Sequence, residues 1–164
     1  MQFKIRQALA AAAILGLVAW ATAAQAATVV NVELWDQGSG KTMATNLAYG
    51  TPGLDMSKAT MGIKVTPGSA PAGIVSFHVT NTSKDTVHEM IVMYLADPTQ
   101  PLPYIAKDSK VDEDKAGDKG EVSELDPGKS GDLTVALKPG KYLLICNVAG
   151  HFVAGMWTEF TVTK

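Results

Sequence analysis

The chain of 164 residues has 14 basic and 16 acidic side chains, which give a formal net charge of −2. Its length suffices for one domain with a hydrophobic core. Because Arg6 is the only arginine and no basic excess exists, the composition argues against a nucleic-acid partner.

The first 26 residues have the pattern of a secretory signal peptide. Two basic side chains precede an uncharged apolar run over residues 8–21, and residues 24–26 form a small-x-small cleavage pattern, Ala-Gln-Ala. The apolar run is shorter than the roughly 20 residues of a membrane-spanning helix, so we expect a cleaved signal and not a retained anchor. The sequence therefore predicts a mature chain of residues 27–164, exported to the periplasm and without a membrane span.

Seven short segments of the mature chain have the alternation or the apolar runs of β-strands, with Pro and Gly turn signals between them. No long segment has a convincing period of 3.6 residues. The predicted strands are residues 28–35, 60–66, 73–80, 86–95, 132–137, 141–146 and 157–163. This pattern predicts a single all-β domain, a Greek-key β-sandwich of about seven to eight strands.

Two stretches lack strand patterns and are predicted to be loops. Residues 37–58 are rich in Gly, Ser, Thr and Lys, and we expect a long loop with one helical turn. Residues 96–131 begin with three prolines and become strongly polar, and nine of the 16 acidic residues lie between Asp108 and Asp132. This long acidic loop is either a solvated connection or a docking surface that steers a positively charged partner.

Three side chains with soft ligand atoms follow one another at intervals of five residues: Cys146, His151 and Met156. Two histidines, one cysteine thiolate and a weak axial methionine are the ligand set of a blue-copper electron-transfer site. Gly150 and Gly155 directly precede the last two ligands and permit the positive φ angles of a tight loop. A lone cysteine cannot form an internal disulfide in an oxidising compartment, and copper ligation explains its presence.

The second histidine of such a site has two candidates, His78 and His88. His78 shares its side of the predicted strand with serine and threonine, opposite the apolar residues at 75, 77 and 79, so we expect it to point to solvent. His88 begins an apolar strand directly after the turn-like residues 81–85. Because a strand end can meet the loops at one end of a sandwich, His88 is the better candidate.

The segment Cys146–Met156 resembles the ligand loop of the cupredoxins, the type 1 blue-copper family. Its Cys-x4-His-x4-Met spacing is most similar to the loops of rusticyanin, auracyanin and sulfocyanin. The resemblance extends over residues 60–164 and is specific around His88 and the loop. It implies one copper ion with the ligands His88, Cys146, His151 and Met156. Glu89 follows the histidine where plastocyanin and azurin have an asparagine, so we expect the bracing of the ligand loop to differ.

These observations predict a periplasmic, monomeric electron-transfer protein that carries one electron between Cu(I) and Cu(II) and is not an enzyme. We expect its partner to be a redox protein, a cytochrome or an oxidase, which docks on an apolar patch where His151 reaches the surface. The other residues of this predicted patch are Val148, Ala149, Phe152, Val153 and Ala154. The apolar surroundings are expected to favour the less charged Cu(I) state.

An alternative function is copper binding for copper tolerance or delivery, without a redox partner. Exposed clusters of methionine and histidine outside the site would favour it, and Met43, Met56 and Met61 are scattered along the sequence. Three histidines are too few for a multicopper oxidase, and one cysteine is too few for a dinuclear copper centre. A secreted sandwich used for adhesion or binding without any metal is the remaining alternative.

Overall fold

A computed structural model describes residues 26–164 of the chain. The predicted signal peptide lies outside these described residues, apart from Ala26. Within the described part of the chain, no helix has the length and apolar character needed to cross a membrane.

Two β-sheets pack face to face and form a sandwich. The first sheet has the strand order β2-β1-β4-β9, and its strands are β1 (Thr28–Asp36), β2 (Met61–Thr66), β4 (Gly73–Asn81) and β9 (Ser130–Leu137). The second has the order β3-β11-β10-β5-β8, and its strands are β3 (Ser69–Pro71), β5 (His88–Tyr94), β8 (Asp118–Leu125), β10 (Gly140–Ile145) and β11 (Trp157–Thr163). The chain repeatedly crosses from one sheet to the other, as in a Greek key. The prediction of an all-β sandwich is confirmed.

Each of the seven predicted strands is present, with bounds that differ by a few residues at most. The core between the sheets consists of side chains that alternate along the strands, as the sequence pattern predicts. Phe77 of β4 and Phe160 of β11 are fully buried and meet edge to face with ring centroids 5.3 Å apart. This pair joins the two sheets across the core.

The second sheet is also covered on its outer face. Ile91 and Met93 of β5 pack there with Leu143 and Ile145 of β10. The same buried cluster includes Leu102, from the segment that covers this face. Because both faces of β5 are buried, its sequence is a nearly continuous apolar run and not an alternation. The strand that begins at His88 is therefore held from both sides.

The prediction of one long acidic loop over residues 96–131 is wrong. This segment contains a small hairpin of β6 (Tyr104–Ile105) and β7 (Lys110–Val111), a one-turn helix α1 (Glu113–Ala116) and the edge strand β8. Only Val122 of β8 is buried. An edge strand needs little apolar surface, so the sequence of β8 carries almost no alternation and does not predict a strand. Residues 37–58 do form a loop, with one 3-10 turn at Met56–Lys58.

We expect Phe77→Ala to lower the free energy of unfolding by about 3–5 kcal/mol, because it leaves a cavity between the sheets. Ile74→Ala is the control on the same strand, where the side chain is exposed, and should lower it by less than about 1 kcal/mol. Urea unfolding of the two variants measures the difference. Equal losses would contradict the importance of this aromatic pair.

Candidate metal centre

His88 and Cys146 come from neighbouring antiparallel strands of the second sheet. His88 is the first residue of β5, and Cys146 directly follows the end of β10. Ile91 pairs with Ile145, so the beginning of β5 and the end of β10 lie at the same end of the sandwich. The strand pairing alone brings these two side chains together.

The loop from Cys146 to Met156 is closed by its own main-chain hydrogen bonds. The Met156 N–H donates to the His151 carbonyl at 3.0 Å, and the Cys146 N–H donates to the Met156 carbonyl at 3.0 Å. Gly150 and Gly155 have φ angles of 85° and 96°, in the left-handed region that glycine adopts without strain. The loop thus returns to its starting point and presents His151 beside Cys146.

Three potential ligand atoms converge in the interior. The Nδ1 atoms of His88 and His151 are 3.2 Å apart, and the Cys146 Sγ lies 3.4 Å from His151 Nδ1 and 4.0 Å from His88 Nδ1. A trigonal site with metal–nitrogen bonds of about 2.0 Å and a metal–sulfur bond of about 2.3 Å needs donor separations of roughly 3.5 to 3.7 Å. The observed triangle matches these separations to within a few tenths of an ångström, so the residues fit a His2Cys copper site.

Met156 completes the candidate set from the same region of the interior. Its side chain is fully buried, in the cluster of core residues that also contains Cys146 and Met90. Its backbone is fixed between Cys146 and His151 by the two hydrogen bonds that close the loop. A buried thioether on a residue that is bonded through its main chain to both Cys146 and His151 is suited to the weak axial position of a blue-copper site.

Burial keeps the donors uncharged in the metal-free protein. Loss of hydration, together with the nearby His88, lowers the pKa of His151 to about 4. Burial also lowers the pKa of His88, although Asp36 opposes this shift. Burial raises the pKa of the Cys146 thiol to about 12. Two neutral imidazoles can therefore bind a metal at neutral pH without losing a proton, whereas the thiol must release one.

An acidic side chain that the sequence analysis did not consider contacts the candidate site. Asp36, the last residue of β1, lies with Oδ2 2.8 Å from His88 Nε2. Burial alone would raise the pKa of this carboxyl, but hydrogen bonds from Ser83, Thr86 and the Gly38 N–H lower it overall. Asp36 is 52 positions before His88 and belongs to the other sheet, so no local motif joins the two residues.

Glu89 braces the ligand loop from the other side. Its carboxylate accepts the Asn147 N–H at 3.0 Å, and its own N–H approaches the Cys146 Sγ at 3.5 Å. The Asn147 side chain in turn accepts the Val111 N–H at 2.7 Å and donates to Glu113 at 2.6 Å. The loop is therefore tied to β5, β7 and α1 through a glutamate and an asparagine.

His78 lies away from this cluster. Its side chain is exposed, and its Nδ1 pairs with Asp132 across to β9 at 2.7 Å. The prediction that His78 points to solvent is confirmed.

The apolar patch predicted around His151 is only partly at the surface. Phe152 and Ala154 are buried, and Phe152 packs on the outer face of the second sheet. Ala149 is exposed, and Val148 and Val153 are half-buried. The prediction that Phe152 and Ala154 lie in a surface patch is therefore wrong, because they hold the loop on the protein body.

His151 itself is buried, with only 5% of its surface exposed, so the prediction that it reaches the surface is wrong. It borders a cavity of about 290 Å³. The other residues that line this cavity are Asp36, Gly38, Ser39, Lys41, Met43, Thr60, Met61 and Thr86.

A β-sandwich with two histidines and a cysteine converging at one end, beside a buried methionine, defines a cupredoxin of the blue-copper class, whose cofactor is one copper ion. The sulfocyanin (SoxE) domain profile matches residues 42–164, three quarters of the chain. The chain belongs to this family.

Solved structures agree with the fold. Dithionite-reduced auracyanin from the photosynthetic bacterium Roseiflexus castenholzii superposes with a TM-score of 0.51 at 19% identity, over 85% of this chain and 98% of that chain. Auracyanin B gives 0.50 at 22% identity, over 84% and 90%. Reduced rusticyanin gives 0.51 at 18% identity, over 85% and 82%. No curated protein sequence matches the chain.

Acidification between pH 6.5 and about pH 4 should destabilise the metal-free protein. The folded-state pKa of His151 is about 4 against an ordinary value of 6.5, so the unfolded chain binds more protons in this range and the free energy of unfolding falls as the pH falls. The loss reaches up to about 3 kcal/mol. Urea unfolding across this range measures it.

His151→Gln should remove this part of the pH dependence, and His78→Gln should retain it. Burial raises the pKa of Glu89 to about 6, which acts in the opposite direction, but all three proteins contain Glu89 and its effect cancels in the comparison. Equal pH dependence in the three proteins would contradict the assignment to His151.

Proposed function

We propose that this protein transfers electrons through one type 1 copper ion held by His88, Cys146, His151 and Met156. It does so in the periplasm, as a monomer, after removal of residues 1–26, and it catalyses no reaction of its own. The observation that supports this proposal above all is the triangle of donor atoms, with separations of 3.2, 3.4 and 4.0 Å, in a buried end of the sandwich. A bound copper ion would supply the redox chemistry, because Cu(II) accepts one electron and Cu(I) releases it.

The protein's own residues keep the donor atoms nearly fixed during that exchange. His88 stands on a strand buried on both faces, and Cys146 follows the adjacent strand. The loop that carries His151 is closed by hydrogen bonds within itself and braced by Glu89. Little movement of the ligands is then needed when the charge of the site changes, which favours rapid electron transfer. All four side chains are buried, with His151 leaving only 5% of its surface exposed, so water has little access to the donor atoms.

The ligand set is tested by the visible spectrum of the protein loaded with Cu(II). We expect an intense thiolate-to-copper absorption band, because the Cys146 sulfur is one of the three atoms of the donor triangle. Cys146→Ser should abolish the band, and His78→Gln, which alters an imidazole outside the cluster, should leave it unchanged. A band that survives Cys146→Ser would refute the proposed ligands.

The proposed docking surface for a redox protein is the face of the ligand loop beside His151. On this face Ala149 is exposed, and Val148 and Val153 are half-buried. This face offers a path between solvent and the donor cluster, because His151 contacts Cys146 and also borders the surface cavity. The acidic residues around α1 lie near Asn147, which is next to Cys146 in the chain. They form a charged area, separate from this apolar face, that would steer a basic partner.

Val153→Glu should slow electron exchange with a cytochrome by about tenfold, which corresponds to about 1.4 kcal/mol in association free energy. The reason is that a charge would have to be desolvated in the apolar contact. Val29→Glu is the control, since Val29 is exposed near the opposite end of β1 from Asp36. Stopped-flow reduction rates measure the effect, and an unchanged rate in Val153→Glu would exclude this face as the docking site.

Copper tolerance or delivery is the second candidate function, and one structural observation favours it. Met43 and Met61, which are scattered in the sequence, line the same cavity as His151. Thioethers are soft ligands that select Cu(I), so this cavity would serve as an entry for the ion. A deletion strain that is sensitive to copper but respires normally would support copper handling, whereas rapid reduction by a cytochrome would support electron transfer.

A further inference from the structure

The contact between Asp36 and His88 has the form of a carboxylate–histidine pair directed at the donor cluster. Asp36 Oδ2 lies 2.8 Å from Nε2 of the imidazole, and the opposite ring nitrogen, Nδ1, points toward Cys146 and His151. The two side chains are almost completely buried, with 4% and 0% of their surface exposed. The two side chains therefore offer little surface to water, although Asp36 borders the cavity beside His151.

Asp36 is held in this position by hydrogen-bond donors. The Gly38 N–H donates to Oδ1 at 2.8 Å, and the Ser83 hydroxyl donates to Oδ2 at 2.8 Å. Ser83 is itself oriented, because its Oγ accepts the Thr86 N–H at 2.9 Å and its N–H donates to the Asn81 side chain at 3.0 Å. Since these neighbours donate to the carboxyl group, it acts as an ionised acceptor, and the remaining contact requires a proton on His88 Nε2.

We propose that Asp36 is a positioning residue that fixes His88 with its proton on Nε2 and its free lone pair on Nδ1, and that its negative charge lowers the reduction potential of the bound copper. This inference rests on the proposed function, in which His88 is a copper ligand. A carboxylate bonded to the far nitrogen of a ligating imidazole makes that imidazole a stronger donor. A buried negative charge also stabilises the more highly charged Cu(II) state more than Cu(I).

Asp36 therefore opposes the effect of the apolar surroundings. The apolar core around Cys146 and Met156 favours the less charged Cu(I) state, because net charge is costly in a medium of low dielectric constant. Glu89, the other buried carboxyl group, contacts a main-chain N–H of the ligand loop and not a ligand ring. Of these two carboxyl groups, Asp36 is therefore the one that is hydrogen-bonded directly to the ring of a candidate ligand.

The test is Asp36→Asn in the copper-loaded protein, which replaces the charge by an amide of nearly the same shape. Loss of such a partner typically changes metal affinity by about 10- to 100-fold. We expect the affinity for Cu(II) to fall at least about tenfold relative to Cu(I), which raises the one-electron potential by about 59 mV for each factor of ten. Spectroelectrochemical titration measures the potential.

Asp132→Asn is the matched control. Asp132 makes the same kind of contact with a histidine, His78, at 2.7 Å, but on the exposed face of the first sheet, so its loss should leave the potential unchanged. If Asp36→Asn and Asp132→Asn have the same potential as the unaltered protein, the inference is overturned. If the unaltered protein has no thiolate-to-copper band, it is the proposed ligand set that fails.

A second measurement does not depend on the stability of the variant. Nitrogen NMR of the metal-free, unaltered protein reports which ring nitrogen of His88 carries the proton. We expect the proton on Nε2 with a strong hydrogen bond. A proton on Nδ1 would overturn the inference even if Asp36→Asn failed to fold.

Discussion

The antiparallel pairing of β5 with β10 is the constraint on which the candidate site depends. The register that pairs Ile91 with Ile145 brings His88 and Cys146 to one end of the second sheet. Both side chains also lie on the inner face, because His88 alternates in step with Met90 and Cys146 in step with Leu144. A shift of one residue in either strand would turn that side chain to the outer face. The hydrophobic core thus fixes the register, and the register assembles the donors.

The same burial determines the chemistry of the donors. In the interior, neutral imidazoles and a protonated thiol are favoured over charged groups, which explains the low pKa of His151 and the high pKa of Cys146. Two carboxylates are nevertheless retained beside this apolar end. Asp36 and Glu89 each have hydrogen-bond donors that compensate for the loss of water. The balance between apolar packing and these two acids sets the electrostatic environment of a bound ion.

Access to the site is controlled by parts of the chain that carry no ligand. The loop before β2 contributes Met43 to the cavity beside His151, and Met56 lies 3.3 Å from where a side chain on Gly155 would begin. On the other side, Phe152 anchors the ligand loop on the outer face of the second sheet. The loop is therefore held between two segments, and His151 borders the cavity to which Met43 contributes.

The sequence by itself determined the seven main strands, the all-β sandwich and the candidate ligand types, because alternation and short spacings are local properties of the chain. The same alternation correctly separated exposed His78 from buried His88. It could not show β8, whose exposed side chains have no need to be apolar, nor which residues of the irregular ligand loop face inward, as Phe152 and Ala154 do. Only the tertiary structure placed Asp36 against His88 and Met43 near Met61. Such contacts join residues that are distant along the chain, and they exist only because two separate sheets pack with their ends together.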